Sequence, residues 1–205
     1  MKSGIYLSYK GLGANLLHLA YCHEIAKKYG PVTIITLCGN LEAALKDDPL
    51  IEKIIFINKY HKRFIDILKL KKLLNTFNFD QIFIFYPSLR IYLASILSNI
   101  KKVFCYPLLK KNKLHLVDVA KKFTEESLGI NNCKTETNFF IKKNKIENIN
   151  KNLDSKKFKI VIGAGSSGLT TKWGAKNFYS LINKLNNNGD YYFFILCGPN
   201  DKNLS

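Results

Sequence analysis

A loop of small residues between an apolar strand and a helix is the stretch of this sequence best suited to chemistry. The apolar run at 160–162 predicts a buried parallel strand, and helical spacing resumes from Ala175. Glycines expose backbone N–H groups, and hydroxyls and one ammonium group add further hydrogen-bond donors, so the loop predicts a phosphate-binding site. The residues that we expect to contact phosphate are Gly165, Ser166, Ser167, Thr170, Thr171 and Lys172.

The same loop has alternative interpretations. Residues 163–168 match the G-x-G-x-x-G spacing of dinucleotide-binding proteins. That fingerprint requires a helix that opens at the glycines and an acidic residue at the end of the next strand. Here the helical pattern starts only after Trp173, which we expect to pack at the base of the loop, and the strand predicted at 191–196 ends without a carboxylate. The spacing favours phosphate binding, while a nicotinamide or flavin site and a ligand-free turn stay open.

Composition limits the class of protein. The chain has 205 residues, 47% of them hydrophobic, which suffices for one large or two small domains. The five cysteines are scattered, without metal-ligand spacing to the histidines, so we expect a reducing cytoplasm and no metal site. The sequence contains no run of eighteen apolar residues, so it predicts no membrane-spanning helix.

The charge favours anionic partners other than nucleic acid. The formal net charge is +17, but Arg63 and Arg90 are the only arginines, and bidentate recognition of bases and phosphates favours arginine. Lys62, Lys69 and Lys72 fall on one stripe of a helix predicted at 62–77. This is typical of an amphipathic surface helix and is compatible with peripheral contact with an anionic membrane.

Alternating strand and helix patterns predict an α/β fold with a parallel, Rossmann-like sheet. Residues 1–130 are expected to form one domain, 131–155 an interdomain linker, and 156–205 the start of a second Rossmann-like domain. One strand–helix–strand cannot bury both faces of its sheet, so we expect the second domain to be truncated. The strands of the first domain are predicted at 5–8, 32–36, 54–57, 82–85 and 103–106, and its helices at 14–29, 41–45, 62–77, 89–97 and 114–128.

The histidines are assigned separately. His18 falls on the inner side of the first helix and is expected to be structural, whereas His23 and His61 are expected at the surface. His115 lies at the start of the helix predicted at 114–128. Its sequence position leaves two roles open, one in the acceptor cleft and one in capping or packing of the helix. None of these assignments by itself identifies a reaction.

Four segments, in order along the chain, resemble the family 9 glycosyltransferases, the class of the lipopolysaccharide heptosyltransferases. They are the glycine-rich turn at 10–18, the His-containing segment at 114–118 followed by Leu128-Gly129-Ile130, the loop with Thr171-Lys172-Trp173, and the Gly198-Pro199 turn. The Lys-Trp loop is the most specific of them.

The resemblance implies a GT-B fold, with a nucleotide-diphosphate sugar, ADP-linked, in the C-terminal domain and an anionic lipid-linked glycan acceptor in the N-terminal domain. It implies inverting, metal-independent transfer of a heptose-like sugar in lipopolysaccharide biosynthesis, in the bacterial cytoplasm or at the inner face of the inner membrane. The acceptor-side loop would include Gly11, Gly13 and Asn15.

The sequence departs from the family at the expected catalytic base. The family carries an aspartate directly after the second glycine of the first turn, where this chain has Ala14. Asn15 and His115 are the weak candidates for a replacement, and the catalytic residue stays unknown. The family's later Asp-x-Gly-x-x-His segment is absent from these residues. A non-catalytic module that binds nucleotide-sugar or phosphate is therefore the alternative function.

Overall fold

The computed structural model describes residues 1–57, 64–108, 114–151, 153, 157–165 and 173–197, with the backbone alone at 148–151. The chain divides into two compact units, Met1–Ile141 and Lys142–Ser205. The division lies inside the segment predicted as a linker at 131–155. Residues 131–141 group with the first unit.

The first unit is built on a five-stranded sheet in the order β3-β2-β1-β4-β5, and every neighbouring pair is parallel. This confirms the predicted α/β class with its parallel sheet. Strand β3 begins earlier than predicted, with a register irregularity opposite Val32 and Thr33. The strands are β1 (Ser3–Leu7), β2 (Val32–Thr36), β3 (Ile51–Phe56), β4 (Gln81–Ile84) and β5 (Lys102–Cys105).

Strand β1 occupies the centre of the sheet, and all of its residues are buried. Its polar residue Ser3 accepts a hydrogen bond from Gln81 Nε2 of β4 at 2.8 Å, whereas Gln81 Oε1 has no hydrogen-bond partner among the described residues. Gly4 lies against the ring of Phe79, which is 3% exposed. The centre of the sheet is therefore closely packed on both sides.

Helices cover both faces of this sheet. One face packs with α1 (Leu12–Leu16), α2 (Leu19–Tyr29), α3 (Leu41–Leu45) and α6 (Leu116–Leu128). The other face packs with α4 (Ile65–Phe77) and α5 (Leu89–Ile96), which also pack against each other. Alternating side chains of each strand point to opposite faces, so the buried residues separate into two apolar clusters.

The single helix predicted at 14–29 is wrong, because the chain forms α1 and α2 with a break at Leu17 and His18. The peptide N–H of His18 donates to Asn15 O, three residues back, which tightens the turn. The hydrophobic spacing continues through the break, and this explains why the periodicity alone predicts one helix.

The second unit contains a parallel pair of strands, β6 (Phe158–Gly163) and β7 (Tyr191–Leu196), which are in register from Phe158 opposite Tyr191 onward. Helix α8 (Ala175–Asn186) connects them, as predicted. Helix α7 (Lys143–Lys151) was not predicted, since its segment is polar. Among the residues described in this unit, only Ile162 and Ala164 are buried.

We predict that Gly4→Ala destabilises the first unit. A Cβ at this position would lie 2.9 Å from the Phe79 ring, which is itself buried, so the ring or the strand must shift. Overpacking of this kind costs about 1–3 kcal/mol. Chemical denaturation measures the change in unfolding free energy. Gly39→Ala is the control, because its Cβ would meet only Phe56 at 3.8 Å, and equal effects of the two substitutions would contradict the prediction.

Candidate functional site

The order of the strands produces a crevice at the carboxyl edge of the first sheet. The chain leaves β1 toward β2 on one side, and β4 lies on the other side. Ligands of parallel α/β sheets bind at such a switch point, beyond the carboxyl ends of the two strands. Here the segment after β1 carries Tyr9, Gly11 and Gly13, and the segment after β4 carries Tyr86 and Ser88.

Gly11 and Gly13 keep the first turn free of side chains. Both glycines are exposed, and a Cβ at either position would meet no atom within 4 Å. Gly11 has φ −77°, which any residue can adopt. The backbone therefore does not require glycine at Gly11, and what glycine provides there is open space in front of the crevice. This arrangement suits a loop that a ligand approaches closely.

Asn15 holds this turn in place and does not project into the crevice. It is 1% exposed, and its Nδ2 donates to Tyr9 O at 2.9 Å and to Gly11 O at 2.7 Å. Its Oδ1 accepts a hydrogen bond from Thr36 Oγ1 of β2 at 2.8 Å. Every polar atom of the side chain is thus engaged in holding the turn, which weakens Asn15 as a candidate for the catalytic base.

Ala14 offers no proton acceptor in its side chain. It is half-buried, and its carbonyl oxygen accepts a hydrogen bond from His18 Nδ1 at 2.7 Å. Tyr9 lies nearby, but burial and, to a smaller extent, the electrostatic influence of the neighbouring Tyr86 raise the pKa of Tyr9 to about 12. Tyr9 is therefore protonated at neutral pH, and neither residue can act as a general base.

His18 is enclosed by aromatic rings and is structural, as the sequence predicts. It is 0% exposed and stacks on Tyr9 with ring centroids 4.9 Å apart. Since Nδ1 donates to Ala14 O, the neutral ring accepts at Nε2, where the Tyr106 hydroxyl lies 3.3 Å away. Burial lowers the pKa of His18 below its ordinary value, and the hydrogen bond to Ala14 opposes this only in part.

His115 caps helix α6. Its Nδ1 accepts a hydrogen bond from the Val117 N–H at 3.3 Å, and its side chain is exposed. When Nδ1 accepts, the neutral ring carries its proton on Nε2, so the free nitrogen is a donor and not a base. The capping interpretation therefore accounts for this residue, and its candidacy as a catalytic base weakens.

The predicted surface position of His23 is wrong. His23 is 5% exposed, and its Nε2 lies 2.7 Å from Asp48 Oδ2, which is 6% exposed. The other oxygen of Asp48 accepts from Leu50 N at 3.0 Å, and Phe140 packs edge-on against the His23 ring. The pair connects α2 to the chain beyond α3, a contact that helical periodicity cannot reveal. His61 lies outside the described residues.

The phosphate loop of the second unit is described only at its two ends. Ser166, Ser167, Thr170, Thr171 and Lys172 lie outside the described residues. Gly165, at the strand end, is exposed, but its N–H points to Leu196 O at 3.4 Å. That N–H is therefore already directed to a carbonyl group, which weakens its predicted role as a donor to phosphate.

Helix α8 begins directly after this loop, as the sequence predicts. Its first residue is Ala175, and its N-cap is Gly174 at φ 90°, a left-handed conformation that favours glycine. No side chain caps this end, so the N–H groups of the first turn stay available for an anion. Trp173 is 52% exposed and packs edge-to-face on Phe178 with centroids 5.0 Å apart, so it packs at the loop base without being buried.

Sequence reasoning missed the aromatic side chains of the crevice. Tyr86 is 38% exposed and packs edge-on against Tyr9, with ring centroids 5.8 Å apart, and the Tyr9 hydroxyl donates to Phe85 O at 3.1 Å. Each tyrosine lies within two residues of the end of an apolar strand. This position at the carboxyl end of a strand was the sequence feature that could have predicted their place in the crevice. They provide an apolar wall with polar tips beside the glycine turn.

We predict that Asn15→Ala destabilises the first unit by about 1–3 kcal/mol, the cost of leaving buried polar groups without partners. The carbonyl groups of Tyr9 and Gly11 and the hydroxyl of Thr36 would lose their hydrogen bonds. Denaturant titration measures the loss. The control is Asn40→Ala, at an exposed helix N-cap whose side chain makes no capping hydrogen bond. A loss no larger than that of the control would show that Asn15 is not a clamp.

We also predict that His18 makes the first unit less stable in acid. Because its pKa is lower in the folded state than the ordinary value of 6.5, the unfolded chain binds the proton more readily. The stability contribution is complete above pH 6.5 and declines as the pH falls toward the folded-state pKa, by at most about 1.4 kcal/mol per pH unit. The measurement is unfolding free energy between pH 7.5 and pH 5, with His18→Phe as the variant. An unchanged slope in that variant would refute the prediction.

Comparison with known proteins gives one match in sequence and several in fold. Residues 8–107, just under half of the chain, match the model of the family described as glycosyl transferase 4-like. No curated protein sequence matches the chain. The matched segment includes the glycine turn, Asn15 and Tyr86, and therefore both sides of the crevice.

Three solved structures resemble the whole chain. The family 9 glycosyl transferase of Veillonella parvula has a TM-score of 0.71 and 17% identity, and the match covers 99% of this chain and 64% of that one. The E. coli ADP-heptose lps heptosyltransferase II has a TM-score of 0.66 and 12% identity, and the match covers 100% of this chain and 66% of that one. The E. coli heptosyltransferase WaaC with ADP-2-deoxy-2-fluoro heptose has a TM-score of 0.65 and 13% identity, and the match covers 100% of this chain and 71% of that one. The chain spans 64% and 66% of the length of the first two. At these identities the likeness is one of fold. The chain has the Rossmann-like α/β fold of the GT-B glycosyltransferases.

Proposed function

We propose that this protein is a glycosyltransferase that moves a heptose-like sugar from a nucleotide-diphosphate sugar to a lipid-linked glycan acceptor. The observation that carries the proposal is the likeness of fold, which extends over 99% and 100% of the chain in two sugar transferases. One solved relative binds ADP-2-deoxy-2-fluoro heptose, so an ADP-linked donor is the first to test. The proposed setting is lipopolysaccharide biosynthesis at the cytoplasmic face of a bacterial membrane.

The donor is assigned to the second unit and the acceptor to the crevice of the first. The start of α8 and the adjoining loop of glycine, hydroxyl and lysine residues are suited to a diphosphate, which carries negative charge that increases as it leaves. The glycine turn and the tyrosines beside it are suited to a neutral sugar ring, because they offer open space, an apolar wall and hydroxyl groups. We propose inverting transfer without a metal ion.

A non-catalytic module that binds nucleotide-sugar is the second candidate, and Ala14 is the observation that favours it. An inverting transferase needs a base beside the acceptor hydroxyl. None of the three residues considered for this role supplies one, since Asn15 is fully hydrogen-bonded, Tyr9 stays protonated and His115 presents a donor. Donor binding without sugar transfer to any acceptor extract would support this candidate over the first.

Ligand-induced thermal stabilisation of the protein separates the candidates. ADP, an ADP-sugar, a UDP-sugar and NAD are offered at equal concentrations, and a ligand that binds the folded state raises the melting temperature. We expect the nucleotide diphosphate and its sugar conjugate to raise it. Stabilisation by NAD alone would overturn the proposal and favour a dinucleotide-dependent oxidoreductase.

We predict that Lys172→Ala weakens binding of the nucleotide-sugar by about tenfold or more, because a charge-assisted hydrogen bond to phosphate is worth about 1.5–3 kcal/mol. The folding of the protein should be nearly unchanged. Calorimetric titration with the nucleotide gives the dissociation constant. Lys184→Ala is the matched control, since Lys184 is an exposed lysine in the last turn of α8, away from the loop. Equal affinities of Lys172→Ala and the parent would remove the loop from the donor site.

A further inference from the structure

The helix layer formed by α4 and α5 has an apolar outer face. Three large apolar side chains at the start of α4 are exposed, namely Phe64 at 80%, Ile65 at 64% and Leu68 at 64%. On α5 the exposed ones are Leu89 at 56%, Ile96 at 48% and, at its C-cap, Leu97 at 52%. The two helices pack side by side, so these exposed residues lie in one helix layer. A surface of this kind marks a contact with another body.

The opposite face of the same sheet serves as an internal comparison. Within the described residues, α1, α2, α3 and α6 carry no exposed large apolar side chain, although Leu17 at the C-cap of α1 is 42% exposed. Their large apolar residues are buried or half-buried, and the exposed positions are polar, charged or, at Gly13, Ala43 and Ala44, small. Exposed large apolar side chains also occur outside these helices in the first unit, at Leu17, Phe56, Leu114 and residues 139–141. The contrast therefore holds between the helices of the two layers.

Charge separates the two layers in the same way. Helices α4 and α5 contain four basic residues and one acidic residue, Asp66, a difference of +3. Helices α2, α3 and α6 contain four basic and five acidic residues, a difference of −1. The basic residues of the first layer are Lys69, Lys71, Lys72 and Arg90. Lys69 and Lys72 are exposed, so the layer with the exposed apolar side chains also presents positive charge to the solvent.

We propose that the outer face of α4 and α5 is a docking surface for an anionic lipid bilayer. Exposed apolar side chains enter the boundary between headgroups and acyl chains, while lysines beside them meet the anionic headgroups. A second copy of the chain is a poor occupant, because it would bring two basic faces together. Among the described residues no helix is long and apolar enough to cross a membrane, so this contact would be peripheral.

The docking surface adjoins the crevice. Helix α4 follows β3 and helix α5 follows β4, so both helices begin at the carboxyl edge of the sheet, where Tyr9 and Tyr86 lie. A bilayer against this layer brings the edge with the crevice near the headgroups, where a lipid-linked glycan presents its sugars. The inference rests on the proposed function for that acceptor alone, since bilayer binding can be measured without sugar transfer.

The test is flotation of the full chain with vesicles of phosphatidylcholine, with and without phosphatidylglycerol. The apolar variant is Phe64→Ser with Leu68→Ser, and the charge variant is Lys69→Gln with Lys72→Gln, all at exposed positions. We expect the parent to bind anionic vesicles about tenfold or more tightly than neutral ones, and each variant to lose about tenfold. Added salt should weaken the binding of the parent.

Matched controls lie elsewhere on the first unit. Phe139→Ser removes an apolar side chain that is 48% exposed, and Lys121→Gln with Lys122→Gln removes the same charge from α6. Both controls should bind vesicles like the parent. Equal loss in variants and controls, or equal binding to neutral and anionic vesicles, would overturn the proposal. Self-association of the chain in the absence of lipid, if Phe64→Ser with Leu68→Ser abolished it, would also overturn the proposal.

The same variants distinguish failure of this inference from failure of the proposed function. Helices α4 and α5 belong to the first unit, and the donor loop belongs to the second. Phe64→Ser with Leu68→Ser should therefore leave stabilisation by the nucleotide unchanged. Vesicle binding without a nucleotide response would support the docking surface and count against the transferase. A nucleotide response without vesicle binding would support the transferase and count against the docking surface.

Discussion

Burial of β1 on both faces is the constraint on which the first unit depends. A strand at the centre of a parallel sheet must be covered by helices on two sides, and each residue of Ser3–Leu7 is buried. With helices on two sides, β2 and β4 pair with opposite edges of β1, and their carboxyl ends leave a crevice between them. The position of the candidate site is thus a consequence of how the core is covered.

Close packing at the crevice leaves little freedom to the polar groups beneath it. Asn15, Thr36 and His18 are each almost entirely buried, and each has hydrogen-bond partners for its polar atoms. A buried polar group without a hydrogen-bond partner destabilises the fold by more than a partnered group stabilises it. Such groups are therefore found in connected hydrogen-bond networks. They fix the shape of the glycine turn and, for the same reason, are unsuited to proton transfer. What distinguishes this crevice chemically is its tyrosines and its open turn.

The two helix layers of the first unit differ in the surface that each presents to the solvent. One layer has a polar surface, and beneath it the His23–Asp48 pair joins α2 to the chain beyond α3. The other layer is apolar and basic on its outer face. The sheet needs apolar residues on the inner side of each helix alone, so packing does not explain those on the outer side of α4 and α5. The docking surface proposed for that face would account for their position.

The sequence by itself determined the local elements and their order. The runs at Val32–Thr36 and Gln81–Ile84, rich in β-branched and aromatic residues, predict buried strands, and their alternation with helical spacing predicts a parallel sheet. The positions of the glycine turn and of the loop before α8 follow from the same pattern. These features depend on neighbouring residues, whose periodicity is visible in one dimension.

The tertiary structure alone decided which side chains meet. Asn15 reaches Thr36, 21 positions away, and His23 reaches Asp48, 25 positions away, and neither spacing has a periodicity that a sequence can display. The break between α1 and α2 and the exposed face of α4 also depend on what the rest of the chain leaves covered or uncovered. A residue's type limits the bonds that it can make, but only the packing of the sheet and its two helix layers brings a partner within reach.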